Sequence, residues 1–419
     1  MPSLSDKLKS LGVQVGARNL PPPRRIVPTD YPIELVVPGS EWATDYGPVF
    51  VAESRFHADY RHGRVGLWPE VALAPVAGWL QDNRLAECGL EEIGFLDTET
   101  SGLAGGTGTY AFLVGAARFE GDAYRLAQFF MRDPTEEPAL LAALTEFLQP
   151  CRVLVTFNGK SFDAPLLDTR YTLASQPSPL PALAHLDLLP LARRLWRDRL
   201  PSRSLGNLER DILLCERTEE DTPGWLIPQL YFDFLRTGDA RPLRGVFYHN
   251  RFDVVAMAAL LNQMAQMLTD PLGEAVEYAL DLVAIGKLFE AMGELEAAAR
   301  LFDAGMQRND LPEEHYWNTQ QRLSLLEKRR GNWAVAVEVW QLAADGRQIY
   351  AHVELAKYFE HQRRDYAAAL RWTSAALNLL SQPKASAAER REWLSELKHR
   401  RARLERKISG HNREATKNE

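Results

Sequence analysis

Apolar residues follow two different spacings along this chain. Around Ile93-Gly-Phe-Leu96, Tyr110-Ala-Phe-Leu-Val-Gly-Ala-Ala-Arg-Phe119 and Tyr124-Arg-Leu-Ala-Gln-Phe-Phe130 they form short, nearly unbroken runs bounded by turn residues. Such runs read as buried strands, and Gly121-Asp122 between the last two is a hairpin signal, so a three-stranded meander is predicted. The spacing then turns helical over residues 136–149, gives way to a short strand over 152–157, and is helical again over 162–174. A further strand is expected at 186–189. Helical segments follow at 191–197, 205–214 and 229–237, and a long apolar helix at 252–268. An antiparallel meander followed by alternating helices and strands predicts an α/β mixed sheet flanked by helices.

Both flanks differ from this core. Residues 1–30 are polar and proline-rich, and 31–82 carry short extended pieces, so residues 1–84 read as an N-terminal extension leaning on a main domain at 85–270. His57 and His62 lie in it among Arg, Asp and Tyr, at a spacing of no common metal motif, and read as surface histidines. After Pro271 the pattern is helical throughout and repeats itself. Leu295-x-Ala297-Ala298-x-x-x-Phe302, Trp333-x-Val335-Ala336-x-x-x-Trp340 and Tyr366-x-Ala368-Ala369-x-x-x-Thr373 are offset by 38 and 33 residues. These offsets bracket the tetratricopeptide period of about 34, and large aromatics against alanines are what stacked helix pairs need. An all-α tetratricopeptide-like repeat domain is therefore expected over 271–380, with a possible protein partner. The basic tail, 381–419, is expected to be a solvated helix with a disordered end.

Composition narrows the class. The 419 residues carry a formal charge of -7, so a generic nucleic-acid coat is excluded and any polyanion contact must come from a local patch. The 3 cysteines (Cys88, Cys151 and Cys215) contain no CxxC pair, which fits a reducing compartment and neither a zinc site nor a disulfide framework. No signal-peptide core or membrane-length apolar run is present, and a cytoplasmic location with no membrane partner is expected.

Chemistry gathers where the first strand ends. In Ile93-Gly-Phe-Leu-Asp97-Thr-Glu99-Thr-Ser-Gly102-Leu103, the two carboxylates lie two residues apart and so share one face of a strand. Carboxylates that close repel, and a divalent metal is their natural neutraliser. Downstream, Val155-Thr-Phe-Asn158-Gly-Lys160-Ser-Phe-Asp163 places an acid in the first turn of a helix. Tyr248-His249-Asn250-Arg-Phe-Asp253 sets His249 four residues before an acid, on one helix face; Tyr248 could reach that place only from a loop preceding the helix. Arg193, Arg194, Trp196, Arg197 and Arg203 combine cations with an aromatic ring, as single-strand grooves do. The glycines after Glu99 lead into a strand without Gly-Lys-Ser/Thr, which argues against a P-loop.

These three acidic motifs resemble the exonuclease motifs of the DEDD 3′-5′ exonuclease superfamily. The Gly105-Gly-Thr-Gly-Thr-Tyr-Ala-Phe-Leu-Val-Gly115 extension and Arg203-Ser-Leu-Gly-Asn-Leu-Glu209 resemble, more narrowly, the YprB-type ribonuclease-H-like family. The resemblance implies an RNase-H-like fold and Asp97, Glu99, Asp163 and Asp253 as ligands of two Mg²⁺ or Mn²⁺ ions. It also implies hydrolysis from a 3′ end of single-stranded DNA or RNA, with Leu103 wedged against the terminal base. Thr100, Asn158 and Lys160 are further candidate substrate contacts. The superfamily's subclasses place a His five, or a Tyr four, before the last acid. Here those positions hold Tyr248 and His249, so both are candidate bases, and the shared helix face favours His249. Two other readings stand beside this one: a catalytically weak or inactive nuclease-like scaffold whose repeats recruit a protein, and an RNase-H-type endonuclease.

Overall fold

The computed structural model describes residues 31–102, 108–383 and 385–415. Strands are β1 (Ser40–Thr44), β2 (Gly47–His57), β3 (Arg61–His62), β4 (Val65–Gly66), β5 (Ile93–Thr100), β6 (Ala111–Glu120), β7 (Ala123–Phe130), β8 (Val153–Thr156) and β9 (Ala184–Asp187). Helices of eight residues or more are α1 (Glu137–Leu148), α2 (Asp163–Leu173), α3 (Leu188–Trp196), α4 (Ile227–Thr237), α5 (Leu243–Thr269), α6 (Ala279–Met292), α7 (Leu295–Met306), α8 (Glu313–Arg329), α9 (Trp333–Asp345), α10 (Ile349–His361), α11 (Tyr366–Ser381) and α12 (Ala387–Ala415).

Two compact units interleave along the chain. The first gathers the described residues up to Tyr60 with Cys88–His185 and Glu216–Met257; the second gathers Arg61–Glu87, Leu186–Cys215 and the chain from Ala258 onward. The sequential boundaries expected at 84, 270 and 380 do not coincide with these units. The polar face of residues 31–82 hid this, because β1 and β2 belong to the main sheet while the next hairpin belongs to the second unit.

In the first unit, one seven-stranded sheet has the order β1-β2-β7-β6-β5-β8-β9. The predicted meander β5–β6–β7 is antiparallel, β2 adds antiparallel to β7, and β8 pairs parallel with β5. β6 and β7 are buried almost throughout, which is why they read as continuous apolar runs. Phe112, Phe130, Tyr231 and Phe247 pack into a core that also takes in Ile33, Val36, Val49 and Val51 from the N-terminal region. Within β5–β6 the register sets Asp97 opposite Gly115 and Glu99 opposite Leu113, then shifts between Glu99 and Thr100, ending regular pairing beside the carboxylates.

The second unit ends in the helices α6 to α12. Each predicted repeat begins a helix (α7, α9, α11), and its small–large pair is buried: Ala298 with Phe302, Ala336 with Trp340, Ala369 with Thr373. Left-handed residues Gly293, Gly331 and Arg364 precede these helices in the connecting turns. The tail departs from the expected solvated helix. In α12, Leu397 and Leu404 are fully buried, and Arg400, Arg403 and Lys407 converge on the buried carboxylate of Glu360. Its basic residues neutralise an interior acid, a role charge composition alone does not disclose. Residues 416–419 and 1–30 lie outside the described residues, as do Leu103, Gly105 and Gly106.

Candidate active site

Alternation along β5 turns Asp97 and Glu99 to one face at the strand's end. Asp163 opens α2 directly after the Asn158-Gly159 turn, where Asn158 takes a left-handed φ of 68° and Asn158 and Lys160 are exposed. Asp253 comes from α5. That helix starts at Leu243, nine residues before the expected start, so Tyr248 and His249 both lie within it. The polar Tyr-His-Asn-Arg stretch concealed the earlier start.

The helical register separates the two candidate bases. Asp253 and His249 share a face, and His249 Nε2 lies 3.6 Å from Asp253 Oδ2. The His249 Nδ1 lies 2.8 Å from Asp221 Oδ1, so a carboxylate fixes the ring orientation. Tyr248 turns away: its hydroxyl accepts a hydrogen bond from Thr218 N at 3.0 Å, and its ring stacks on Phe252 at 4.1 Å. Tyr248 therefore braces the 217–222 segment.

Electrostatics tie the acids together. Burial, with the charges of Asp253, Glu99 and Asp163, holds the Asp97 carboxyl well above its ordinary range. Burial, reinforced by Asp253 and Asp163 and opposed by His249 and Arg217, raises Glu99 to about 8. Burial works against charge on His249, but Asp253 and Glu99 outweigh it and raise the imidazole. Negative charge is thus in excess at this end of the sheet.

Protein donors hold the individual acids. Asn250, fully buried, donates to Asp97 Oδ2 at 2.9 Å and accepts at 3.0 Å from Gln128 Nε2, which also donates to Phe247 O. This arrangement needs Gly115, because a Cβ there would lie 2.2 Å from Asn250 Oδ1. The Thr98 hydroxyl donates to Asp163 and the Arg217 guanidinium to Asp253. Held this way, no three of the four carboxylates among the described residues bring oxygens within 4.8 Å of one another. An all-oxygen donor set nevertheless fits a hard dication, whose charge would offset the burial and the neighbouring acids that raise Asp97 and Glu99.

Sequence reasoning missed Arg217, Asp221 and the anchoring role of Asn250. The first two lie in the Glu-Arg-Thr-Glu-Glu-Asp run, which carries no periodic signal. Asn250 sat inside a motif, and a buried position on an apolar helix was its available signal. Of the other expected contacts, Thr100 is buried and its hydroxyl donates to Gly102 O. Trp196 contradicts its expected stacking role: it is fully buried, because the hydrophobic stripe of α3 includes it with Leu191, Ala192 and Leu195. Arg193, Arg194 and Arg197 are exposed, while Arg203 is half-buried and donates to Leu200 O and Pro201 O.

Comparison with known proteins agrees with the fold. Residues 94–265 match the RNase H superfamily. The chain is 35% identical over 323 residues to the protein YprB of Bacillus subtilis (strain 168), covering 75% of each chain. A family B DNA polymerase from the hyperthermophilic archaeon Pyrobaculum calidifontis aligns at 15% identity with a TM-score of 0.30, over 48% of this chain and 29% of the polymerase. No helix among the described residues is long and apolar enough to cross a membrane. The identity with the Bacillus protein, the superfamily match and the sheet place this chain in the YprB family, with an RNase H superfamily domain across its centre.

Proposed function

We propose that the chain is a cytoplasmic, metal-dependent 3′-5′ exonuclease hydrolysing phosphodiester bonds of single-stranded DNA or RNA. The observation that carries this reading is that buried Asp97 and Glu99 feel the charges of Asp163 and Asp253, with His249 held beside Asp253 by Asp221. Those four acids would hold two Mg²⁺ or Mn²⁺ ions, which when bound supply an activated water and a stabilised leaving 3′ oxygen. His249 takes up the water's proton at Nε2, and Asp221 on Nδ1 stabilises the imidazolium that results. Asn250 fixes the Asp97 carboxylate, and Arg217, which donates to Asp253, would have to yield part of that contact for Asp253 to serve as a ligand. Leu103, Asn158 and Lys160 would contact the 3′ nucleotide, with Thr100 bracing the turn through Gly102 O, Arg193, Arg194 and Arg197 would contact the phosphate backbone, and the tetratricopeptide-like helices a protein.

A second reading has its own support: a protein cation already pairs with Asp253, as suits a nuclease-like scaffold. Incubation of free and 3′-blocked single-stranded DNA and RNA with Mg²⁺ or Mn²⁺ separates the two. Stepwise ladders from free 3′ ends, lost in Asp97→Ala, are expected. Internal cuts would replace the exonuclease with an endonuclease, and intact substrate under all conditions would leave the scaffold. Cleavage by Asp97→Ala equal to the parent would discard the assignment of the acids.

A further inference from the structure

His62, expected at the surface, meets Glu209 and Cys215 inside the second unit. His62, on β3, and Glu209 are each 1% exposed, and His62 Nε2 lies 2.6 Å from Glu209 Oε1. The ring's Nδ1 lies 4.0 Å from the sulfur of half-buried Cys215. One donor atom from each of the three lies within 4.8 Å of the others, and no other such trio occurs among the described residues. The expectation of a surface His62 therefore fails. Neighbours 147 and 153 positions away supply its environment, and no local spacing could announce them.

Unusual backbone builds this trio. After the α-helical turn Leu205–Leu208 the chain widens into a π turn over Glu209–Leu213. Leu214 then adopts a left-handed φ of 54° with its side chain 61% exposed. Cys215 N closes the loop by donating to Glu209 O at 3.0 Å, which sets the thiol and the carboxylate on one side. The β3–β4 hairpin is fastened against it: Arg64 N donates to Leu213 O at 2.8 Å and Arg64 Nε to Ile212 O at 3.0 Å. Gly63, at φ 61°, makes that approach possible, since a Cβ would lie 2.0 Å from Leu213 O. Asn262, fully buried, holds the hairpin's far side through Gly66 O and Trp68 O. A π turn and a left-handed, exposed leucine are costly backbone features, and such features gather at functional sites.

We propose that His62, Glu209 and Cys215 are the protein ligands of one Zn²⁺ ion, with water in the fourth position on the partly exposed cysteine side. Imidazole, carboxylate and thiolate are the donors zinc takes, and three protein ligands plus water is the count of open zinc sites. A thiolate and a carboxylate together balance the dication, so the interior holds no net charge. Magnesium, which prefers oxygen, does not compete for a sulfur and a nitrogen. Binding releases the thiol proton, and any proton on the imidazole, to solvent.

The test uses the full chain, stripped with a chelator and titrated with Co²⁺. A thiolate-to-cobalt charge-transfer band in the near ultraviolet is expected, saturating at one equivalent and bleached by Zn²⁺. Cys215→Ser removes the band, whereas Cys88→Ser and Asp97→Asn keep it, which separates this site from the acids of β5. His62→Gln loses roughly 100-fold or more in affinity, since even indirect supports of a metal cost up to about that much. A parent protein without the band, which requires no variant to fold, overturns the proposal; so does a band that survives Cys215→Ser.

Discussion

At the scale of single residues, the candidate site depends on side chains that hold the acids as much as on the acids. Asn250 links Asp97 to Gln128, and Gly115 leaves the space it occupies. Asn250→Leu leaves the Gln128 amide and the Asp97 carboxylate short of a partner in the interior, a loss of about 1–3 kcal/mol. It should also weaken Mn²⁺ binding by roughly 10–100-fold. Calorimetric unfolding and Mn²⁺ titration check both, and an unchanged Mn²⁺ affinity would reduce Asn250 to a packing residue. Glu99 carries a second prediction. Its ordinary pKa is about 4.3, whereas in the fold it is raised to about 8. Between those values the native protein holds more protons than the unfolded chain, so stability falls as pH rises through that window. Melting temperature without metal should drop from about pH 5 to about pH 8, and either Mn²⁺ or Glu99→Gln should flatten the slope. A flat metal-free profile would mean that burial and the neighbouring acids do not raise Glu99 as described. Asp97 and Glu99 were legible because strand alternation alone puts them on one face. Arg217 and Asp221 were not, since an aperiodic segment says nothing about where its side chains reach.

Among the elements, legibility followed burial. β6 and β7 are apolar on both faces and were readable as strands, and α7, α9 and α11 announced themselves through alanine against aromatic. The start of α5 was missed because Tyr248, His249, Asn250 and Arg251 interrupt the apolar period of its first turns. The segment over 205–214 read as one helix, but it breaks into a helical turn and a π turn, a change that no side-chain period encodes. For α12, charge composition misled outright, because its cations serve the buried Glu360. Glu360→Gln leaves Arg400, 8% exposed, with only the partly exposed Glu396 as its counter-charge and should destabilise the second unit by about 1.5–3 kcal/mol, the scale of one hydrogen bond to a charged group. Arg403 and Lys407, more than a third exposed, add little beyond that. Limited proteolysis reads the outcome as early cleavage within residues 387–415. Parent-like resistance in Glu360→Gln would show that Leu397 and Leu404 alone hold the helix.

For the molecule as a whole, the proposed function raises the problem of how a chain of formal charge -7 would grip a polyanion. Long-range attraction is unavailable, so affinity must come from a few local contacts and from any dication held by the acids. With Trp196 interior, base stacking on that ring is removed from the account. Of the candidate groove residues, Arg193, Arg194 and Arg197 are exposed, whereas Arg203 is engaged by its own loop carbonyls. Each phosphate neutralised on a single strand contributes a salt slope of about 0.7, so reversing the three exposed arginines to glutamate should reduce the slope of log affinity against log salt by about 2. The measurement is oligonucleotide binding by the parent and the triple variant across a salt series, with Ca²⁺ in place of Mg²⁺ to hold the substrate intact. Arg203→Ala should instead leave the slope unchanged and act on stability, since its hydrogen bonds are internal. A triple variant with the parent's slope would move the substrate path away from α3, to whatever surface lies beside Asn158 and Lys160 at the strand–helix turn.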